Sequence, residues 1–589
     1  MKIETGLLPR IVLQRSRRDL SNAAFTGAAK ATGPVQARVS QSGRTVRDAG
    51  QTADSTTVKD VLVGDVWIVA GQSNAQGCGL LKNAIKSQPN VRAFYMDDRW
   101  RPAKDPIHNM WACVDQIHRD LAAGPLAVDK IRGVGPGVAF AQRMQQNTGV
   151  PQGIIAAAHG GTSMEQWDPR KKKLGTRSLY GATIRRFIKN GGKLAGIVWY
   201  QGESDALDNT ADIYTANMKR LIRSFRRDLA DPNLPFVLVQ LTSVCGHTDR
   251  AKHWNAIQEQ QRLLPNTVKR CATVPSIDLP LDDTIHVGGV GQHVLGKRLA
   301  DAMHVITAPR AAGKPPIALK KISTIRNELM GWADIIVEFD HVVGDLRCGG
   351  HRATGFDISD GEHGGHIYDT ILDRNRAIVR TDLSHTGLSS MHLHYGRGTF
   401  PFCNITDAAD RSLPVFGPIR IGKPRALSPF ITELRISRVF AGAGDLTTLK
   451  RPHPDPAMRW RVRNFADTFC DAQAEFGPTS DDQLMYFACR LHCDEPMKLA
   501  AGLGYDGPVK FWVDGKLKFH DPAGTNPAVE DRAVIPFAAS KGNHEVIFAL
   551  GSNNGCAWGI MLRFERTDVT AAQLRQQPAR YKMPRIFAT

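Results

Sequence analysis

Apolar and polar residues follow two alternating patterns between residues 61 and 308. Short, continuously apolar segments rich in Val and Ile predict strands that are buried on both faces of a sheet. Between these segments, apolar residues recur every three or four positions, which predicts helices with one apolar face. The alternation predicts an α/β domain in which helices cover both faces of a parallel sheet. The predicted strands cover residues 61–70, 153–158, 194–200, 235–241 and 271–277.

The remaining segments show patterns typical of β structure. Residues 1–60 lack a long helical stripe and predict a small N-terminal β unit, and residues 309–425 are again rich in strand-like segments. Residues 426–589 contain two alternating segments joined by Asp514-Gly515, a dipeptide typical of tight β-hairpins, and they predict a β-sandwich. We therefore expect three accessory β units around the α/β domain of residues 61–308.

Composition narrows the classes of protein and partner. A chain of 589 residues is too long for one ordinary core. The formal net charge of +19 is spread along the chain without a nucleic-acid module, so we expect no nucleic-acid partner. No apolar run reaches eighteen residues, so we expect no membrane span. The ten cysteines form no dense framework, and we expect free thiols and no metal site.

Polar segments, three of which contain glycine, follow four of the predicted strands. They cover residues 71–74, 159–162, 201–205 and 283–286. In open α/β sheets, ligands bind outside the carboxyl ends of the strands. The four segments therefore predict one functional site at that edge of the sheet.

The residues of these segments fit nucleophilic catalysis. A serine hydroxyl needs a neighbouring base, so Ser73 is the candidate nucleophile and His286 the candidate base. Asp283 can reach the second ring nitrogen of His286 within one turn of chain and fix its tautomer. Each residue alone has a simpler explanation, Ser73 as a turn or cap residue and His286 as a hydrogen-bonded loop histidine. The order of the four segments favours the catalytic interpretation.

Attack on an ester creates an oxyanion, which needs preorganised hydrogen-bond donors. The candidates are the backbone N–H groups of Ser73 and Gly161 and the side-chain amide of Gln201. Glu203 is either a rival triad acid or a brace for its loop. Ser73 does not lie in a G-x-S-x-G motif, which argues against an ordinary α/β-hydrolase.

Four blocks, "GQSN", "HGGTSMEQW", "WYQGESDA" and "DDTIHVGGVGQHVLGKRLAD", resemble the sialate O-acetylesterase branch of the SGNH hydrolases over residues 60 to 305. The resemblance implies a flavodoxin-like, three-layer SGNH hydrolase fold. It also implies Ser73 as nucleophile, His286 as base, Asp283 as its partner, and Gly161 and Gln201 in the oxyanion hole. The segment "VGGVGQ" after His286 departs from many sialic-acid members, and this affects the expected substrate more than the reaction.

The flanking regions resemble accessory units of the same enzymes. "GFDISD" and "HYGRGTFPFCNITDAADRSLPVFG" are similar to the β-rich section that follows the hydrolase in bacterial members, and we expect residues 309–425 to pack with residues 1–60. "FWVDGKLKF" and "GNHEVIFALGSNNGCAWG" within residues 426–589 resemble a galactose-binding-like jelly roll.

The resulting expectation is a cofactor-free serine esterase that removes O-acetyl groups from a carbohydrate through an acyl-enzyme. The favoured substrate is an O-acetylated sialic acid or a related glycan, with Trp167 either lining the glycan cleft or buried in the core. An acetylxylan or other polysaccharide acetylesterase is the first alternative, and a non-catalytic glycan-binding protein is the second. The resemblance implies secretion or a periplasmic location, although the first twenty residues lack the apolar core of a signal peptide.

Overall fold

The structure is a computed structural model that describes most of the chain. The described residues are 2–16, 25–28, 39–41, 44–47, 58–123, 133–308, 313–327, 332–360, 364–441, 446–477, 482–575 and 581–588. Within them, no helix is long and apolar enough to cross a bilayer.

The first half of the chain contains twelve described strands and seven α-helices. The strands are β1 (Lys2–Thr5), β2 (Val12–Gln14), β3 (Thr26–Ala28), β4 (Val39–Gln41), β5 (Arg44–Arg47), β6 (Leu62–Gly71), β7 (Val91–Phe94), β8 (Trp100–Pro102), β9 (Gln152–Ala156), β10 (Gly196–Tyr200), β11 (Phe236–Gln240) and β12 (Cys271–Pro275). The helices are α1 (Ser73–Gln76), α2 (Gln116–Ala122), α3 (Pro136–Thr148), α4 (Leu179–Lys189), α5 (Tyr214–Asp228), α6 (Ala251–Leu263) and α7 (Gly289–Thr307).

The central sheet of this half is mixed, with mostly parallel strands. Its order is β12-β11-β10-β6-β9-β7-β8, with β2 paired to β6. Within the described residues, the strand pairs of this sheet are parallel except β7 with β8. The five strands predicted from apolar runs are present with ends shifted by one or two residues. Strands β7 and β8 were not predicted because they are short and interrupted by Arg92 and Arg101.

Helices cover both faces of this sheet, which gives three layers. On one face, Trp67 of β6 packs edge-on against Phe140 of α3, with ring centroids 5.4 Å apart. Trp199 of β10 is aligned with Ala70, three residues along β6 from Trp67, and therefore points to the opposite face. There it contacts Trp167 at 5.0 Å and Tyr214 of α5.

The described part of residues 1–60 contacts the central sheet, and its expected packing with residues 309–425 stays a prediction. Strand β2 extends the central sheet, with Val12 aligned to Leu62, and Ile11 and Val12 are fully buried in the core of that sheet. Arg15 forms two hydrogen bonds with Asp65 at the start of β6. These apolar and ionic contacts attach the segment to the α/β region. Residues 17–24, 29–38 and 48–57, which the same expectation covers, lie outside the described residues.

Residues 313–425 form antiparallel sheets around a separate set of buried apolar residues. The elements are β13 (Ala318–Arg326), β14 (Ala333–Asp340), β15 (Leu346–Cys348), β16 (Phe356–Ser359), β17 (Ile367–Asp373), β18 (Arg376–Thr381), α8 (His385–Leu388), β19 (His392–Tyr395), β20 (Ile405–Asp407) and β21 (Phe416–Arg420). Their sheets have the orders β13-β14-β18-β17, β16-β19-β21 and β15-β20. Ile277, which follows β12, packs into the same apolar set.

The C-terminal part is a pair of antiparallel sheets. Its elements are β22 (Ala426–Leu427), β23 (Glu433–Ile436), β24 (Phe440–Ala441), α9 (Asp455–Met458), β25 (Arg461–Asn464), β26 (Cys470–Asp471), α10 (Gln473–Phe476), β27 (Gln483–Cys493), β28 (Met497–Tyr505), β29 (Val509–Val513), β30 (Lys516–Asp521), β31 (Ala533–Ala539), β32 (Gly542–Gly551), β33 (Gly559–Arg566), α11 (Ala571–Arg575) and β34 (Arg585–Phe587). One sheet has the order β22-β33-β28-β31 and the other β25-β23-β27-β32-β29-β30.

The predicted hairpin of this part is present between β29 and β30. Asp514 and Gly515 both adopt positive φ, 49° and 73°, as a tight two-residue hairpin turn requires. The jelly-roll assignment and the bounds of the four units stay predictions.

Candidate active site

Three of the four polar segments meet at the carboxyl end of β6. Gly71, the last residue of β6, is aligned with Tyr200 at the end of β10. The Gln72 N–H donates to the Tyr200 carbonyl at 2.8 Å, and the His159 N–H donates to the Gly71 carbonyl at 3.0 Å. Gly71 has φ of 128°, and a Cβ there would lie 2.0 Å from the Tyr200 oxygen, so only glycine allows this approach.

Ser73 is the first residue of α1 and is half-buried. Asn74, which follows it, is fully buried and contacts both neighbours of His286. Its Oδ1 accepts the Val287 N–H at 2.9 Å, and its Nδ2 donates to the Ile285 carbonyl at 3.3 Å. These two hydrogen bonds join the backbone on either side of His286 to the residue next to Ser73, across more than two hundred positions of sequence.

His286 and Asp283 form a direct ion pair. His286 Nδ1 lies 2.6 Å from Asp283 Oδ2, while Asp283 Oδ1 accepts the N–H groups of Ile285 at 2.8 Å and of His286 at 2.7 Å. Burial raises the pKa of Asp283, but these hydrogen bonds and the imidazole outweigh it and hold the pKa below its usual value. With Nδ1 engaged by the carboxylate, Nε2 is the ring nitrogen left for a proton transfer.

Cys78 lies beside the same pair of residues and was not singled out from the sequence. Its half-buried thiol donates to the Ser73 carbonyl at 3.6 Å and also hydrogen-bonds to His286. Burial lowers the pKa of His286, but the hydrogen bonds with Cys78 and Asp283 and the negative charge of Asp283 outweigh burial and raise the pKa to about 9. The environment therefore favours the protonated imidazolium.

Hydrogen bonds fix the turn that carries Gly161 through the residues before and after it. The Gly160 N–H donates to Gln76 Oε1 of α1 at 2.8 Å, and Thr162 Oγ1 donates to the His159 carbonyl at 2.7 Å. Gly161 itself has φ of 67° and is exposed. Its left-handed backbone and exposure suit a residue that presents its backbone to a ligand.

Gln201, the predicted side-chain donor of the oxyanion hole, is hydrogen-bonded to the loop that carries Gly161. Its side chain is fully buried, and its Nε2 donates to the Thr162 carbonyl at 3.2 Å and to Asp205 Oδ2. These hydrogen bonds use both N–H groups of the amide and connect Gln201 to the loop around Gly161. Its role as an oxyanion-hole donor stays a prediction.

Trp167 is a core residue and does not line a glycan cleft. Its side chain is fully buried, packs edge-on against Trp199, and donates its indole N–H to Thr162 Oγ1 at 3.0 Å. A ring with no exposed surface cannot stack on a sugar. Of the two roles considered for Trp167, the core role is the one observed.

The carboxyl group of Glu203 connects its loop to Asn74 through a hydrogen bond. It is buried, and its Oε1 accepts the Asn74 Nδ2–H at 2.9 Å. Burial raises the pKa of Glu203, although the hydrogen bond from Asn74 opposes this shift. Asp283, and not Glu203, contacts the Nδ1 of His286.

Several polar residues around Ser73 were missed. Asn74 connects three loops, and Gln72 Oε1 accepts the N–H groups of Gly202 and Ser204, both at 3.3 Å. The sequence feature that could have indicated them is the number of amide side chains in "GQSNAQ". An amide side chain that is buried beside a strand needs hydrogen-bond partners, and backbone groups of neighbouring loops can supply them. Among the described residues, no group of three or more His, Cys, Asp or Glu is placed to hold a metal ion.

Comparison with known proteins gives consistent matches. The family model of carbohydrate esterases described as sialic acid-specific acetylesterases matches residues 63–305. A probable carbohydrate esterase of Arabidopsis thaliana is 34% identical over 250 residues, which cover 40% of this chain and 89% of the relative. Human sialate O-acetylesterase is 30% identical over 222 residues, which cover 32% of this chain and 41% of the human protein.

A solved structure shares the fold over a longer part of the chain. A carbohydrate acetylesterase of Xanthomonas citri has a TM-score of 0.50 and 22% identity, and the match covers 70% of this chain and 98% of the other. At this identity the likeness concerns the fold alone. The family match and the Arabidopsis relative place the chain in the sialic acid-specific acetylesterase family of carbohydrate esterases, and it is a carboxylic ester hydrolase.

Proposed function

We propose that this chain removes O-acetyl groups from a carbohydrate by a serine-based acyl-enzyme mechanism on an SGNH-type fold. The observation that supports the proposal is the double hydrogen bond of Asn74 to the neighbours of His286, since it joins the backbone on either side of the candidate base to the residue that follows the candidate nucleophile. The ion pair between His286 and Asp283 supports the same assignment.

In the first half of the reaction, Ser73 Oγ attacks the acetyl carbonyl carbon as His286 Nε2 takes the hydroxyl proton. Asp283 keeps the other ring nitrogen protonated and stabilises the imidazolium that forms. The tetrahedral intermediate then collapses to an acetyl-enzyme. His286 returns the proton to the departing sugar oxygen, which leaves as an alcohol.

In the second half, water attacks the acetyl-enzyme with His286 again as base, and acetate leaves. Both tetrahedral intermediates carry an oxyanion, for which the backbone N–H groups of Ser73 and Gly161 are the proposed donors. One such donor is typically worth about 2.7–4 kcal/mol of barrier. Gln201 stays a candidate donor, and it would have to release one of the two hydrogen bonds that its Nε2 makes in the structure.

The proposed substrate is an O-acetylated sialic acid or a related glycan. The family description and the name of the human relative favour sialic acid. Acetylated xylan or another polysaccharide is the alternative within the same reaction class, since the mechanism requires only an acetyl ester on a sugar.

The test is release of acetate from two acetylated carbohydrates, an O-acetylated sialic acid and acetylated xylo-oligosaccharides, by the wild type and by Ser73→Ala. We expect turnover of at least one of them by the wild type and background rates with the variant. Turnover of only the xylo-oligosaccharides would show that the substrate is an acetylated xylan or a similar polysaccharide and not a sialic acid. If the wild type and Ser73→Ala both show only background rates, and neither hydrolyses 4-nitrophenyl acetate, the chain would be a non-catalytic glycan-binding protein.

A further inference from the structure

Two phenylalanines stand out from the surface of the β-rich region. The side chains of Phe400 and Phe402 are 61% and 74% exposed, and they flank Pro401. Exposing two large apolar side chains so close together is costly in water and often marks a binding surface. They lie beyond residue 305, where the match to the esterase family ends.

The segment that carries these rings is attached to the loop after β11. The Val244 N–H donates to the Thr399 carbonyl at 2.7 Å, and the hydroxyl of Thr399 donates to the Gly246 carbonyl at 3.1 Å. Thr399 is buried, although Phe400 beside it is exposed. The base of the segment is therefore fixed while its aromatic rings remain in solvent.

The same loop contacts the segment between Asp283 and His286. The Cys245 N–H donates to the Thr284 carbonyl at 2.7 Å, and Thr284 directly follows Asp283. Since consecutive backbone nitrogens are less than about 4 Å apart, the carbonyl oxygens of Thr399 and Thr284 can be no more than roughly 10 Å apart. A short oligosaccharide spans that distance.

A further set of hydrogen bonds holds the segment against α6. Asn255 Nδ2 donates to the carbonyls of Gly396 at 3.2 Å and Gly398 at 3.1 Å, and its Oδ1 accepts the Gly398 N–H at 2.8 Å. Pro401 restricts the backbone between the two rings. The aromatic pair is thus largely preorganised, which reduces the entropy lost when a ligand binds.

We propose that Phe400 and Phe402 form an aromatic platform that binds the sugar units next to the acetylated one. The C–H face of a pyranose ring is apolar and packs well on an aromatic ring, while its hydroxyl groups remain in water. This inference rests on the proposed function and deepens it, because it makes an accessory unit responsible for the preference for a glycan over a small ester.

The test compares two substrates in the full-length enzyme. Steady-state kinetics are measured with the acetylated oligosaccharide that the wild type turns over and with 4-nitrophenyl acetate, for the wild type, Phe400→Ala, Phe402→Ala and the double variant. Loss of about half of a buried phenylalanine contact predicts a decrease in kcat/KM of about ten-fold per ring on the oligosaccharide, mainly through KM. Rates on 4-nitrophenyl acetate should stay unchanged.

Two further variants distinguish loss of ring stacking on the sugar from a general effect on folding. Phe402→Tyr keeps the ring and should retain the wild-type KM. Phe587→Ala removes an exposed phenylalanine of the C-terminal strand β34 and should leave both substrates unaffected.

The outcomes distinguish this inference from the proposed function. Oligosaccharide kinetics that do not respond to the double variant, or equal losses on both substrates, would overturn the platform alone. A wild type that hydrolyses 4-nitrophenyl acetate and no acetylated sugar would overturn the proposed function, and the platform with it.

Discussion

At the residue scale, Asn74 is the side chain on which the geometry of the site depends. It contacts the Ile285 carbonyl, the Val287 N–H and the Glu203 carboxyl group. We predict that Asn74→Ala lowers kcat on 4-nitrophenyl acetate about one-hundred-fold with a small change in KM, since a base misplaced by an ångström costs that much. The melting temperature, measured in parallel, shows whether the protein stays folded. A folded variant with wild-type kcat would contradict the role of Asn74.

Cys78 is the second residue whose effect can be measured, because it raises the pKa of the base. The neutral imidazole is the active form, so kcat/KM should rise with pH through the His286 pKa of about 9. Cys78→Ala removes one cause of the raised pKa, and we predict that the rising limb moves to lower pH and that activity at pH 7 increases. Cys556→Ala, which removes an exposed cysteine of the C-terminal part, is the matched control. A limb that does not move in Cys78→Ala would contradict the assignment.

The sequence was informative about which residues approach the site and less informative about where their side chains point. Asp283 and His286 lie three positions apart, within one turn of chain, so their contact could be foreseen. Gln201 and Trp167 lie in the same motifs, but both side chains turn inward and are fully buried. A motif places its residues at the end of a strand, and the packing behind the loop then decides their orientation.

At the element scale, the carboxyl group of Asp105, from the loop after β8, contacts the start of α3 in an unfavourable environment. Asp105 Oδ1 accepts the Gly135 N–H at 3.3 Å, and Asp105 Oδ2 is buried with no hydrogen-bond partner among the described residues. Burial raises the pKa of Asp105 to about 7. The free energy of unfolding should therefore decrease as pH rises from about 4, the pKa of the unfolded carboxyl, to about 7.

Asp105→Asn removes this charge and keeps an acceptor for the Gly135 N–H. We predict that the variant is more stable than the wild type at pH 8, by about 2–4 kcal/mol, and that the difference shrinks toward pH 4. Thermal unfolding at several pH values measures it. A difference in melting temperature that is independent of pH would show that Asp105 does not titrate in this range.

Long, strongly apolar elements were predictable, and short ones were not. The five predicted strands of the central sheet are mostly apolar segments that contain Val or Ile. Such composition is expected for a strand that is covered by other elements on both faces. Strands β7 and β8 have four and three residues and owe their existence to pairing with β9 and with each other. Strands that depend on tertiary pairing in this way are hard to predict from the local sequence.

At the scale of the whole molecule, a buried glutamine connects the central sheet to the β-rich region. Gln240 Nε2 donates to the carbonyls of Gln258 and Val415, both at 2.8 Å, and its Oε1 accepts the Val415 N–H at 2.9 Å. Since Gln240 is fully buried, its loss would leave these backbone groups unpaired away from water.

We predict that Gln240→Ala lowers the free energy of unfolding by about 2–4 kcal/mol, as measured by denaturant titration. Gln142→Ala is the matched control, because Gln142 makes one hydrogen bond, to the Lys86 carbonyl at an exposed site. It should change stability by less than about 0.5 kcal/mol. Equal effects of the two substitutions would show that Gln240 does not stabilise the connection between the two regions.

The packing of regions was the least predictable feature. Resemblance predicts that residues 1–60 and 309–425 pack together, and this packing stays a prediction. The pairing of β2 with β6 in the central sheet was not predicted. A three-residue strand carries too few positions to specify its partner, and the ion pair of Arg15 with Asp65 is a contact that the apolar pattern does not indicate.

The central claim is that Ser73 is the nucleophile, activated by His286. The most direct measurement is labelling of the full-length enzyme with a fluorophosphonate, followed by mass spectrometry of the intact protein and its peptides. We expect one adduct, on Ser73, which is absent in Ser73→Ala and forms much more slowly in His286→Ala. An adduct on another residue, such as Cys78, or undiminished labelling and esterase activity in Ser73→Ala, would contradict it.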